Sequence, residues 1–160
     1  MKSASRLLAS LFSLALLVTG ATVHAAEHGH AADEAHGPTR LQLNHGKKWE
    51  TDAPLRQGMA TLRASLGEKL QAIHQGKLTA GEYQALGAEI DTEVGSIVAQ
   101  CKLEPKADAM LHLIIAELLA AAEFMQGKHK GSPAAAARKA VAALNRYGRY
   151  FDDPQWKALK

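Results

Sequence analysis

Histidines cluster in the segment that follows the first 25 residues of the chain. Residues 26–36 read AEHGHAADEAH and place His28, His30 and His36 among three carboxylates. Imidazole and carboxylate groups are ligands that Zn(II) and Cu(II) use in proteins. The segment therefore predicts a transition-metal site, and the alternative is a soluble spacer in which the histidines have no role.

The first 25 residues have the features of a secretory signal peptide. Lys2 and Arg6 give a positive start, residues 7–18 are apolar, and VHA at residues 23–25 is a small-residue cleavage site. The apolar stretch has only about half the length that a membrane-spanning helix needs. We therefore expect a periplasmic or secreted protein that begins at Ala26 after cleavage and has no membrane span.

Cleavage after Ala25 would give His28 a further property. The new amino terminus would read Ala26-Glu27-His28. A free amine, two deprotonated backbone amides and the imidazole of the third residue can supply four nitrogens in one plane, a geometry suited to Cu(II) or Ni(II). The candidate metals are thus Cu(II), Ni(II) and Zn(II).

The only cysteine, Cys101, precedes a further histidine, His112, by eleven residues. In an oxidising compartment a lone cysteine is buried, bound to a metal or paired with another molecule, here in a Cys101-linked homodimer. Asp108 lies one helical turn before His112 and could orient its imidazole toward a metal. Three interpretations stay open: a second metal site at Cys101 and His112, a disulfide between the Cys101 residues of two copies, or a core cysteine beside a solvated Asp-His pair.

Apolar residues recur at three- and four-residue steps in four segments, which predicts an all-α fold. The predicted helices cover residues 53–75, 80–101, 105–126 and 133–151. Residues typical of helix starts precede or open them, namely Asp52, Thr79 with Glu82, Pro105, and Ser132 with Pro133.

Short loops between helices of about twenty residues favour an up-down-up-down antiparallel four-helix bundle. We expect this bundle over residues 49–160, preceded by the signal peptide at 1–25 and by a disordered histidine-containing tail and lead-in at 26–48. Alanines and four glycines inside the first two helices should let backbones approach closely, which argues against a wide cavity. These glycines are Gly58, Gly67, Gly87 and Gly95.

Aromatic residues concentrate at one end of the predicted bundle, where the first helix starts and the last one ends. This end is the predicted site for a protein partner. The candidates are Trp49, Tyr147, Tyr150 and Trp156.

Charge and motifs exclude other classes of function. Removal of residues 1–25 would leave 17 basic and 16 acidic residues, a net charge of +1, so the composition does not favour nucleic-acid binding. The chain contains no glycine-rich phosphate loop, nucleophile elbow or His-Glu-x-x-His motif. We therefore expect a protein that is not an enzyme.

Met59 lies near the start of the first predicted helix of this small exported bundle. In this it resembles the soluble periplasmic b-type cytochromes, whose haem is held by such a methionine and by a histidine near the end of the fourth helix. The corresponding part of this chain reads ALNRYGRYF and has no histidine. Met59 and His112 lie at similar depths in the predicted bundle and are the alternative pair of haem ligands, but the missing histidine argues against haem as the cofactor.

Overall fold

The computed structural model describes residues 38–160, in which all regular secondary structure is helical. The predicted all-α class is confirmed. None of the helices in this part of the chain is long and apolar enough to cross a membrane. The five helices are α1 Ala53–Glu68, α2 Leu70–Gln75, α3 Ala80–Gln100, α4 Pro105–Met125 and α5 Pro133–Tyr150.

The prediction of one continuous helix over residues 53–75 is wrong. The chain leaves the helix at Lys69, where φ is −100° and ψ is 6°, and α2 then begins at Leu70. The two pieces have different neighbours, because α1 packs against α3 whereas α2 packs mainly against α5. Gly67 lies just before the break and contacts the side chain of Leu159. The other three helices begin at the predicted residues and end one residue earlier than predicted.

Helix capping follows the sequence pattern. The Asp52 carboxylate accepts a hydrogen bond from the backbone N–H of Leu55 at 3.0 Å, and Thr79 and Glu82 form a complete capping box. Ser132 Oγ accepts the N–H of Ala135 at 3.2 Å. The cap of α4 is one that the sequence did not reveal, since the Glu104 carboxylate accepts the amides of the first turn.

Asp52 also joins two distant parts of the chain. Its Oδ1 caps α1, and its Oδ2 accepts the backbone N–H of Lys102 at 2.6 Å. Lys102 follows Cys101, the C-cap residue of α3. One carboxylate therefore fixes the start of α1 beside the loop between α3 and α4.

The part of the lead-in that the structure describes contains a tight turn. Asn44 and Lys47 exchange two backbone hydrogen bonds of 2.8 and 2.9 Å. His45 and Gly46 between them have φ values of 49° and 81°, the left-handed region that Gly adopts without strain and that two-residue hairpin turns require. Leu41 before the turn packs against the core. Residues 41–48 are thus part of the fold.

The core lies between consecutive helices, with α1 against α3, α3 against α4 and α4 against α5. Leu62, Ile90, Ile114 and Leu144 are among its fully buried side chains and come from four different helices.

Two of the four helix glycines provide the predicted close approach. A Cβ added at Gly87 would lie 2.8 Å from the carbonyl oxygen of Ala122 in α4, and one at Gly58 would lie 2.5 Å from Cγ1 of Ile97 in α3. Gly67 meets Leu159 instead of a helix. Gly95 faces open space, so it plays no part in packing within the chain.

Gly87 and Gly95 form a matched pair for a stability test within α3. We expect Gly87→Ala to lower the free energy of unfolding by about 1 kcal/mol or more, because overpacking against the α4 backbone outweighs the gain in helix propensity. Gly95→Ala should raise it by about 0.5–1 kcal/mol. Urea unfolding followed by circular dichroism measures both, and equal effects of the two substitutions would contradict the close packing at Gly87.

Candidate functional site

The histidines predicted to bind a metal, His28, His30 and His36, lie outside the described residues. Of the second predicted metal site, His112 is exposed on α4, with 57% of its side chain accessible. Its Nδ1 lies 2.9 Å from the carbonyl oxygen of Asp108 and 3.4 Å from the carboxylate of the same residue. This arrangement orients the imidazole and leaves Nε2 directed away from Asp108. No three His, Cys, Asp or Glu side chains within residues 38–160 are grouped so that they could hold a metal ion.

Cys101 lies at the end of α3, where its backbone caps the helix and its side chain packs partly against the core. It is a free cysteine of intermediate exposure. Burial, and then the negative charges of Asp52 and Asp108, raise the pKa of the thiol. The thiolate is the form that binds metals and attacks disulfides. The surroundings of Cys101 therefore disfavour both reactions at neutral pH.

Met59 and His112 lie in different environments. The side chain of Met59 is completely buried in the core, whereas that of His112 is largely accessible to solvent. Two axial ligands of one haem would both have to face the same cavity. The placement of these two side chains does not support such a pair.

The four aromatic residues predicted to bind a partner divide into two buried and two partly exposed side chains. Trp49 is 5% exposed and Tyr147 is fully buried, so both belong to the core. For these two the expectation of an exposed docking surface is corrected, because their rings complete the packing of the chain itself. Tyr150 and Trp156 are partly buried at its edge.

Trp49 joins the start of the fold to its end. Its backbone N–H donates to the carbonyl of Tyr150 at 2.8 Å, and its carbonyl accepts the N–H of Asp152 at 2.8 Å. The indole Nε1 donates to the carbonyl of Gln42 at 2.7 Å, which satisfies the polar atom of the buried ring. The lead-in is thereby fixed beside the chain that leaves α5.

Tyr147 is the centre of an aromatic cluster below this junction. Its ring stacks on Phe151 with the centroids 5.3 Å apart, and Trp156 meets it edge-on at 4.8 Å. The phenol donates to the Asp153 carboxylate at 3.3 Å. Burial, together with the negative charge of Asp153, raises the pKa of Tyr147. Gly148 is required here, since a Cβ at this position would lie 2.1 Å from the indole of Trp156.

Residues 151–160, the C-terminal strap, form no helix, turn once at residues 154–155 and run between α1 and α5. Asn145 on α5 holds it by two hydrogen bonds of 2.8 Å, one to the carbonyl and one from the N–H of Leu159. Arg63 on α1 donates to the carbonyl of Lys157. Leu159 is 8% exposed and packs against Gly67 of α1. The strap therefore bridges the first and the last long helix.

A polar groove of about 670 Å³ lies beside the strap. Arg56 and Arg63 line one wall from the same face of α1, and Asp152 to Trp156 line the other. The Arg56 guanidinium donates to the carbonyl and hydroxyl oxygens of Thr51 at 2.6 and 3.0 Å, so it bonds to neutral oxygens. Guanidinium groups and carboxylates both line the groove, so its walls can form ion pairs and hydrogen bonds with polar groups. Sequence reasoning missed this groove, although the seven-residue spacing of the two arginines on α1 was visible.

No known protein family, characterised protein or solved structure shows significant similarity to the chain. What residues 38–160 can do chemically therefore has to be inferred from their own geometry. It comprises one oriented exposed imidazole, one thiol with a raised pKa, and a polar groove beside a buried aromatic cluster. The imidazole and the groove are suited to binding, whereas the raised pKa disfavours the reactive form of the thiol.

The raised pKa of Cys101 predicts slow reaction with a soluble aromatic disulfide near pH 8. Asp108→Asn should lower the thiol pKa and shift the pH profile of the reaction rate to lower pH, because it removes a nearby negative charge. Glu123→Gln, which neutralises a carboxylate elsewhere on α4, is the matched control and should leave the profile in place. A Cys101 profile unaffected by Asp108→Asn would contradict the electrostatic contribution of Asp108.

The raised pKa of Tyr147 predicts a loss of stability at high pH. The folded pKa exceeds the unfolded value of about 10, so this group stabilises the fold below pH ~10, and its contribution falls by up to ~1.4 kcal/mol per pH unit above it. The stability of the Tyr147→Phe variant should not show this loss above pH ~10. Urea unfolding of both proteins between pH 7 and pH 11 gives the difference, and parallel curves would show that the phenol has no such effect.

Proposed function

We propose that this chain is a small exported protein that acts by binding a transition-metal ion rather than by catalysis. The observation that carries the proposal is the sequence Ala26-Glu27-His28, which becomes an amino-terminal Cu(II) or Ni(II) chelate when the signal peptide is cleaved after Ala25. His30 and His36 supply further imidazoles for Cu(II) or Zn(II). The site of action is the periplasm or the extracellular space.

In this proposal the helical part of the chain is the carrier of the metal-binding segment. We propose that α1 with α2, α3, α4 and α5 run up, down, up and down as an antiparallel bundle. The proposal is supported by the packing of each helix against the next and by the short connections between them. Haem is not part of the proposal, since Met59 is enclosed and its candidate partner is exposed.

His112 is the described residue best suited to assist a metal bound by the histidine segment. The contacts of its Nδ1 with Asp108 fix the ring, and Nε2 is left as the donor. Cys101 is less suited, because its raised pKa reduces the thiolate fraction. For the same reason, a Cys101-linked homodimer forms only slowly without a catalyst of disulfide exchange.

Docking of a partner protein at the aromatic end is the alternative. Only Tyr150 and Trp156 of the four predicted residues keep part of their side chains at the surface, and Trp156 also lines the polar groove. The alternative thus depends on these two residues and on the groove wall beside them.

The metal proposal predicts a defined spectroscopic result. The mature protein beginning at Ala26 should bind one equivalent of Cu(II) with the visible absorption band of a planar four-nitrogen site, because the amine, two amides and His28 are all available. His28→Ala should lose this band, whereas His112→Ala should retain it. Calorimetry with Cu(II), Ni(II) and Zn(II) gives the affinities.

A chain extended by one glycine before Ala26 is the matched control. It has the same histidines, but His28 becomes the fourth residue and cannot complete the planar chelate. Loss of the band in this variant separates the amino-terminal site from general binding by histidines. A wild-type protein with no affinity tighter than micromolar for the three metals would overturn the proposal.

A further inference from the structure

The C-terminal strap lies in the channel between α1 and α5 in the manner of a bound peptide. The structure shows three hydrogen bonds between these helices and residues 156–160, and all three involve main-chain atoms of the strap. Arg63 donates to the carbonyl of Lys157, and the Asn145 amide both donates to the carbonyl of Leu159 and accepts its N–H. Bonds of this kind hold a peptide by its backbone, independently of its side chains.

Two helix glycines give this channel its side-chain specificity. A Cβ added at Gly148 would lie 2.1 Å from the indole of Trp156, and the three atoms nearest to it all belong to that ring. Apart from the backbone of its own helix, a Cβ at Gly67 would meet only Leu159 within 4 Å. The channel therefore accepts an aromatic ring and, three residues later, an aliphatic side chain.

A short hinge, Pro154 and Gln155, separates this docked segment from the rest of the fold. Asp153 before the hinge is buried, and its carboxylate accepts the phenol of Tyr147 at 3.3 Å. Both hinge residues are exposed, and the turn is closed by bonds to Asp153 from the N–H groups of Gln155 and Trp156 at 3.1 and 3.0 Å. Opening this one turn therefore lets the segment leave while the chain before it stays attached to the helices.

We propose that the channel between α1 and α5 also binds the strap of a second copy of this chain, so that two copies exchange residues 156–160. The second copy provides the same two side chains at the same spacing and the same main-chain groups. The docking contacts are thus equal in both forms, which differ in the path of the hinge. Residues 154–160 can reach about 23 Å when extended, which is enough to cross to a copy that faces the same channel.

Exchange of straps gives a closed assembly. Each copy donates one strap and receives one, so both channels are filled and growth stops at a two-fold symmetric dimer. Within one chain, the hinge holds the strap beside its own channel at a high effective concentration, which favours the monomer. We therefore expect wild-type dimers only toward about millimolar protein.

Two complementary variants separate the donor of a strap from its acceptor. Gly148→Ala, the donor, fills the notch for Trp156 but keeps the strap, and alanine favours the helix at this position. Trp156→Ala with Leu159→Ala, the acceptor, keeps the channel but removes both docking side chains. Each variant alone should be a monomer. Their mixture should form one-to-one dimers about tenfold or more tightly than two wild-type copies do, because no intact strap competes within the acceptor chain.

Sedimentation velocity measures these states in EDTA, with Cys101→Ser in every chain so that metal bridges and disulfides are absent. Circular dichroism shows whether each variant keeps the helix content of the wild type. An acceptor that also carries Gly148→Ala is the matched control, since a blocked channel should abolish the complex. A mixture of folded donor and acceptor that stays monomeric overturns the proposal.

Deletion of Pro154 and Gln155 is a second test, which leaves the channel and the docked segment unchanged. The shortened connection cannot place both Trp156 and Leu159 in the notches of their own chain, so the deletion should convert the protein to dimers at micromolar concentration. Insertion of two glycines after Pro154 is the control and should leave it monomeric. A monomeric deletion variant with the helix content of the wild type contradicts the exchange, even where the acceptor variant does not fold. All of these measurements are made without metal, so they are independent of the amino-terminal metal site.

Discussion

The alanine face that α5 turns toward the core constrains the rest of the fold. Its buried residues include Ala136, Ala137, Ala140 and Ala143, so α5 contributes mainly methyl groups and must lie close to its neighbours to exclude water. Such a face provides little apolar area for a helix of 18 residues. The missing area is supplied at the carboxyl end of α5 by Tyr147 and by the chain that follows. Close helix packing and the aromatic residues of α5 and the C-terminal strap therefore both compensate for the small apolar area of α5.

Local features of the fold could be predicted from the sequence, whereas contacts between distant residues could not. Capping residues placed the starts of α3 and α5, and Pro105 placed that of α4, because these signals act within one or two helical turns. The break at Lys69 was missed since Leu66, Leu70 and Ile73 keep helical spacing across it. Just before the break, Leu159 packs against Gly67 from about ninety residues away, and no local pattern contains such a contact.

The same distinction applies to the candidate sites. Spacing on α4 identified the Asp108 and His112 pair, because both residues belong to one helical turn. Whether Cys101 joins them depends on the path of the loop between helices, and that path instead places the thiol beside two carboxylates. The predicted topology placed the aromatic residues at one end, but it did not predict that Trp49 and Tyr147 are buried. Large rings at a helix terminus are equally compatible with a surface and with a cap over the core.

The C-terminal strap has a consequence for the order in which the chain folds during synthesis. Chains emerge amino terminus first, and the channel between α1 and α5 is filled by residues 156–159. Until Leu159 has emerged, Tyr147 and Gly67 lack the side chains that cover them. The helices can form earlier, but the core packing between α1 and α5 is completed last. A chain whose synthesis is incomplete therefore leaves this part of the core loosely packed.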